Sequence, residues 1–142
     1  MFDEFSAEAA SVVTPQDTAR NLALTPADSF PEVFATSRMI ALMELAAARA
    51  MRPLLGEGQL SVGVSLNVSH TAATPVGSSV RALATCLRTE GKRLHFKVEA
   101  FDESGLIGTG DHTRAIIDAA RLVAGAGRRR HPHSSSPSQQ VN

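Results

Sequence analysis

The sequence predicts an α+β domain in which an antiparallel sheet curls around one long buried helix. Three observations carry this: one strongly helical segment, four strand-like runs after it, and tight-turn sequences joining the last three runs. The helical segment is "TSRMIALMELAAARAMRPLL", where Met39, Met43, Ala46, Ala47, Ala50 and Leu54 recur at helical spacing. Ala, Leu, Met and Arg favour helix. Thr36 or Ser37 is suited to cap its start, and Arg52-Pro53 with Gly56 marks its end. The helix is apolar around more than one stripe, which predicts that it is enclosed.

The strand-like runs are Gln59–His70, Ser78–Thr89, Arg93–Asp102 and Leu106–Asp118. In the first, Val62, Val64, Leu66 and Val68 alternate with small or polar residues, and the next position in that phase is His70. Leu94, Phe96, Val98 and Ala100 give the third run one buried face. Glu90-Gly91-Lys92 and Glu103-Ser104-Gly105 are tight-turn sequences, so the last three runs form a meander. Such a layout leaves strand edges open, and a symmetric homodimer is the expected remedy.

The chain has 142 residues, enough for one domain of the usual roughly 100–200. Residues 1–124 read as that domain. From Gly125 onward, "GAGRRRHPHSSSPSQQVN" is poor in apolar residues and reads as a disordered tail, with Arg128, Arg129 and Arg130 as its solvated start. Fourteen basic residues balance fourteen acidic ones, which gives no electrostatic reason to expect nucleic acid or an acidic membrane as partner. No apolar run is long enough to span a bilayer, and "MFDEF" is no signal peptide. A single cysteine, Cys86, makes neither an internal disulfide nor a cysteine metal cluster. The expected setting is cytoplasmic.

Polar residues that interrupt apolar patterns are the candidates for chemistry. Glu44 is the only acid between Thr36 and Leu55 and lies at the margin of the helix's apolar face. Its plain reading is an edge carboxylate paired with Arg38 or Arg49. Thr36 alone reads as a helix cap, and His70 alone as a core histidine bonded to backbone. Taken together, a hydroxyl, a carboxylate and an imidazole are the parts needed to activate water or form an acyl intermediate at a carbonyl. His112 shares the phase of Arg114, so it either lines the pocket or packs. His95, in the opposite phase to Leu94 and Phe96, is expected to face solvent. Asp111 and His112 point to opposite strand faces and lack a third ligand, so no metal site is expected.

The segments "FPEVFAT", "MIALMELAAARAMRPLL", "SHTAATPVG", "EGKRLHFKVEAFDE" and "GLIGTGDHTRA" together resemble the fluoroacetyl-CoA thioesterase family of hot-dog-fold proteins. The resemblance implies a hot-dog fold, a dimer with sites at the subunit interface, and hydrolysis of a short acyl-CoA thioester. It places the family's catalytic threonine, glutamate and histidine on Thr36, Glu44 and His70, and its substrate-contacting glycine and arginine on Gly63 and Arg114. One phenylalanine of the family's lid falls on Phe30, whereas "LTPADSF" offers no second aromatic before it. No cofactor is implied beyond the CoA of the substrate itself. Two other functions fit the same pocket: a non-catalytic acyl-CoA-binding module, and a hot-dog dehydratase acting on acyl thioesters.

Overall fold

The computed structural model describes residues 5–130. Five strands form one antiparallel sheet: β1 (Phe5–Val12), β2 (Gln59–His70), β3 (Ser79–Glu90), β4 (Arg93–Asp102) and β5 (Gly105–Asp118), in the order β1-β3-β4-β5-β2. Helix α1 (Thr36–Met51) lies on the inner face, and α2 (Ala119–Arg130) follows the last strand. The α+β fold and the β3–β4–β5 meander agree with the sequence reading. Gly91 and Gly105 adopt positive φ in its two turns, the conformation for which glycine is the default.

The core is a single cluster between α1 and the sheet. Met39, Met43 and Met51 of the helix meet Leu94, Phe96 and Val98, all fully buried. A second component is a seam of alanines: Ala46, Ala47 and Ala50 on the helix, with Ala9, Ala82, Ala84 and Ala100 on β1, β3 and β4. Small side chains here let the helix approach the sheet backbone, while the longer methionines fill the rest of the core. Leu54, expected in this stripe, lies in a separate 3-10 turn (Arg52–Leu54) and is exposed; Met51 occupies the buried position instead.

Three further features depart from the sequence reading. Strand β1 is absent from it. Its alternation of Phe5, Ala7 and Ala9 is made largely of alanine, a poor strand former, and depends on pairing with β3, Ala9 opposite Ala82. In β2 the alternation breaks at a bulge, because Gly63 pairs with Arg114 and Ser65 with Thr113, leaving Val64 out of register. Ser61 and Gly63 therefore share the inner face with Leu66, Val68 and His70, whereas Val62 and Val64 do not. The third departure is α2, which runs through Gly125 to Arg130, where a disordered tail was expected. Asp118 Oδ1 accepts the Arg121 amide at 2.8 Å and caps the helix start, and the three terminal arginines suit the negative end of its dipole. The rest of the expected tail, 131–142, lies outside the described residues.

Helix α1 is not enclosed on all sides. Ala41 and Leu45 are exposed, and Ile40, Leu42 and Glu44 are half-buried. Thr36, Ile40 and Glu44 form one row at four-residue spacing along the flank nearest β2. That flank, and β2 itself with Leu60 and Val64 exposed, form the open edge of the molecule.

Candidate active site

Two polar clusters lie along this edge. In the first, Thr36 Oγ1 is 2.8 Å from His70 Nδ1. Thr36 is the first residue of α1 and not its cap; Ala35 holds the cap position. The backbone leading to it is tied down on both sides. Phe34 donates its amide to Thr74 O at 2.8 Å, and Ala35 donates to Asp17 O at 2.9 Å. Asp17 in turn pairs with Arg38 at 3.1 Å. Thr74 belongs to the turn after His70; it is fully buried, and its hydroxyl donates to Asp102 Oδ2 at 2.7 Å. The Thr74 turn is thus the bracket that sets helix start and strand end side by side.

His70 stands opposite Gly108 in β5. A Cβ added at Gly108 would lie 2.5 Å from Met39 Sδ, so the absence of a side chain there lets helix and strand close on each other. Burial pushes the His70 pKa below its ordinary value of 6.5, with a backbone bond to Ala72 partly opposing, so the ring is neutral at pH 7. Its Nε2 is buried and has no hydrogen-bond partner. With Nδ1 as the unprotonated nitrogen of the neutral ring and Nε2 as its N–H, the imidazole is placed to take a proton from the Thr36 hydroxyl.

The second cluster centres on Arg114, whose side chain is only 8% exposed. Its Nε donates to Ser61 Oγ at 3.1 Å, its Nη2 to Ser61 O at 3.0 Å and its Nη1 to Glu44 Oε2 at 3.3 Å. Nη1 also lies 3.2 Å from His112 Nε2. His112 Nδ1 is 2.9 Å from Ser65 O, a pure acceptor, so Nδ1 carries the proton and Nε2 accepts from Arg114. Burial lowers the His112 pKa; the Ser65 bond opposes this and the Arg114 cation adds to it. Burial also lowers the pKa of Arg114, against the pull of Glu44. The guanidinium is therefore held by four acceptors. Glu44 pairs with this arginine and not with Arg38 or Arg49, because Arg38 is taken by Asp17 and Arg49 by Glu8 O.

Gly63 completes the cluster. A Cβ there would lie 2.5 Å from Glu44 Oε2 and 3.3 Å from His112 Cε1, so any side chain would occupy the place of the carboxylate. A cavity of about 260 Å³ opens between Ile40, Glu44, Gly63, Leu66 and His112. This lies below the 300–1,000 Å³ of a drug-sized pocket and suits a short group.

The sequence placed Thr36, Glu44 and His70 together, and the chain brings only Thr36 and His70 into contact. Thr36 and Glu44 lie eight residues apart on one straight helix, about 12 Å along its axis. Phe30 is exposed, within a stretch where 20–32 are exposed throughout, and it lines neither cluster. His95, expected to face solvent, is half-buried: Nδ1 meets Thr113 Oγ1 at 3.0 Å and Nε2 meets Glu90 Oε1. Ser61 and the anchoring role of His112 escaped the sequence reading. The available signal was Gly63, since a glycine inside a strand marks a bulge that shifts its neighbours' phase.

Comparison with known proteins gives a consistent answer. The family model described as "Fluoroacetyl-CoA-specific thioesterase" matches residues 13–120. A fluoroacetyl-CoA thioesterase of Streptantibioticus cattleyicolor is 46% identical over 115 residues, covering 80% of this chain and 83% of that protein. A threonine-to-serine variant of a fluoroacetyl-CoA thioesterase, solved with acetyl-CoA, superposes with a TM-score of 0.85 at 40% identity, over 91% of this chain and 98% of the other. A thioesterase superfamily member from Thermus thermophilus superposes with a TM-score of 0.82 at 33% identity, over 91% and 93%.

Proposed function

The chain belongs to the fluoroacetyl-CoA-specific thioesterase family of hot-dog thioester hydrolases, and on that premise we propose that it cleaves short acyl-CoA thioesters at a site completed by a second copy. The single observation that carries the reading is the Thr36–His70 contact with Nε2 uncommitted. The separation of Thr36 from Glu44 supports the dimer. An antiparallel pairing of two β2 edges about Leu66–Asn67 sets His70 of the partner subunit beside Gly63, and so joins each Thr36–His70 pair to a Glu44–Arg114 cluster. The exposed edge of β2 is suited to this pairing.

In this arrangement the Thr36 hydroxyl passes its proton to His70 and attacks the thioester carbonyl. The C–S bond breaks, the CoA thiolate leaves, and His70 returns the proton to sulfur. Thiols ionise near pH 8.5, so the leaving group needs little acid assistance. Glu44 across the interface then takes a proton from water as it attacks the acyl-threonine ester; the bond from the acyl carbon to Thr36 Oγ1 breaks, that proton passes to Oγ1, and the free acid leaves with Thr36 restored. Arg114, fixed by Ser61 and His112, holds Glu44 in place. The small cavity beside Gly63 supports a short acyl group, and the solved relative with acetyl-CoA agrees in size. Exposed Phe30, with no second aromatic in the "LTPADSF" stretch, supports a lid less selective for fluorine than the family's name implies. The setting we propose is cytoplasmic; among the described residues, no helix is long and apolar enough to cross a membrane.

Thiol release from a panel of short acyl-CoAs, acetyl and fluoroacetyl included, tests the reading with His70→Ala beside wild type. Release that the variant loses is the expected result. Binding of CoA esters without release from any of them would overturn it in favour of a binding module.

A further inference from the structure

Beyond the two catalytic clusters, a groove of about 830 Å³ runs between α2 and the end of β5. Lys92, Arg121 and Arg129 line it, over a floor that includes Ile116 and Leu122; its one acid, Asp118, is engaged with the Arg121 amide. Elsewhere Arg38, Arg81, Arg88 and Arg114 each sit within ion-pair distance of a carboxylate. Lys92, Arg121 and Arg129 have no such partner among the described residues. Helix α2 carries four arginines and no acid, in a chain whose formal charges cancel. The cations are therefore gathered here with no carboxylate in ion-pair distance among the described residues.

The groove is rigidly placed. The Ile116 amide donates to Lys92 O at 2.9 Å, and the Ala119 amide to Gly58 O at 2.9 Å, which fixes both walls to the sheet. Ile116 lies two residues beyond Arg114 on the same strand face, about 7 Å further along β5. The family match ends at residue 120, so most of α2 lies outside what the family shares.

We infer that this groove binds the nucleotide end of CoA, its 3′-phosphate and 5′-diphosphate held by Arg121, Arg129 and Lys92. The inference rests on the thioesterase reading for its ligand. A CoA thioester carries its acyl group and its phosphates at opposite ends of the flexible pantetheine arm. A thioester placed at the Glu44–Arg114 cluster sends that arm along β5 toward this cavity, where cations without a carboxylate partner among the described residues converge. Arginine forks match phosphate oxygens, and the apolar floor suits an adenine ring.

The test compares acetyl-CoA with S-acetylpantetheine, which lacks the nucleotide, and measures 3′,5′-ADP binding by calorimetry. Wild type is expected to show the lower KM for acetyl-CoA and to bind 3′,5′-ADP. Arg121→Ala/Arg129→Ala should raise the acetyl-CoA KM about tenfold per arginine, abolish 3′,5′-ADP binding and leave the S-acetylpantetheine KM as in wild type. Equal KM values for the two thioesters in wild type, as when a second copy fills the groove, would overturn the inference. So would a rise that affects both substrates alike. Absence of thiol release from either substrate counts against the thioesterase reading, whereas 3′,5′-ADP binding reads the groove independently of turnover.

Discussion

Thr36 Oγ1 and His70 Nδ1 meet at 2.8 Å although 34 residues separate them, one at the start of α1 and the other at the end of β2. In the proposed reaction the hydroxyl is the reacting group and the imidazole its base. Thr36→Ala should lower kcat by about 10²–10⁴-fold, and Thr36→Ser should retain most of it. Single-turnover thiol release, followed against acid formation, checks the acyl-threonine step: the thiol should appear first. Full activity in Thr36→Ala would remove the hydroxyl from the reaction.

If each site draws Thr36 and His70 from one copy and Glu44 from the other, inactive chains complement each other. Thr36→Ala and Glu44→Gln homodimers should each be nearly inactive. Equal mixing after reversible dissociation makes half of the dimers mixed, each with one intact site of two, so about a quarter of wild-type activity returns. A mixture no more active than its components would mean that each site lies within one chain.

Acid should weaken both activity and stability. His70 and His112 have pKa values held below 6.5, mainly by burial. As pH falls through 6.5, imidazoles of the unfolded chain take up protons before those of the folded one. Stability is therefore full above 6.5 and declines below it, toward the depressed folded values. The rate should fall in the same direction as His70 loses its free nitrogen. Urea midpoints at pH 7.5, 6.5 and 5.5, with a pH–rate profile, measure the two effects; a midpoint that rises on acidification would contradict the account.

Gly63→Ala should separate chemistry from folding. The added methyl meets the far end of a flexible side chain, Glu44 Oε2, which moves away from Arg114 at small cost. The expected result is a loss of kcat of about tenfold or more, with stability changed by no more than about 1 kcal/mol. Wild-type kcat would show that the position of Glu44 is not critical.

Thr74→Val removes the bracket between helix start and strand end. The fully buried hydroxyl donates to Asp102, whose carboxyl it holds below the ordinary 3.8. Loss of the bond should cost about 1–2 kcal/mol at pH 7. The depressed carboxyl contributes stability that is fully present above 3.8 and is lost as pH falls through its lowered folded value, so wild type and variant should converge as pH falls below 3.8. Equal denaturation midpoints at pH 7 would exclude the bracket.

Much of this architecture was legible in the sequence, and what was not has physical reasons. Leu94, Phe96, Val98 and Ala100 alternate because β4 is central and packs α1 on one face, so period and burial coincide. Gln59–His70 was placed to the residue, yet the side-chain phase of its first half was not, because one bulged residue inverts a period of two. Strand β1 is hidden because it is specified by the alanines of β3, and not by its own propensities. Composition stopped the domain at Gly125, but a capped helix with arginines at its end tolerates two interior glycines. Thr36, Glu44 and His70 were each visible as exceptions to an apolar pattern. Their division into two clusters was not, since sequence spacing does not say which turn of α1 the end of β2 comes to rest against.

The alanine seam under α1 has a consequence for how such an enzyme is altered. Thr36 and Glu44 ride on the helix, whereas His70, Gly63 and Arg114 belong to the sheet, so the height of one above the other is set by Ala9, Ala46, Ala47, Ala82, Ala84 and Ala100. These methyl groups act as shims beneath a machine bed. Thickening one by a carbon raises the tool relative to the workpiece, and none of them touches either. Adjustments to what the enzyme accepts are thus available from positions that a map of substrate contacts would leave blank.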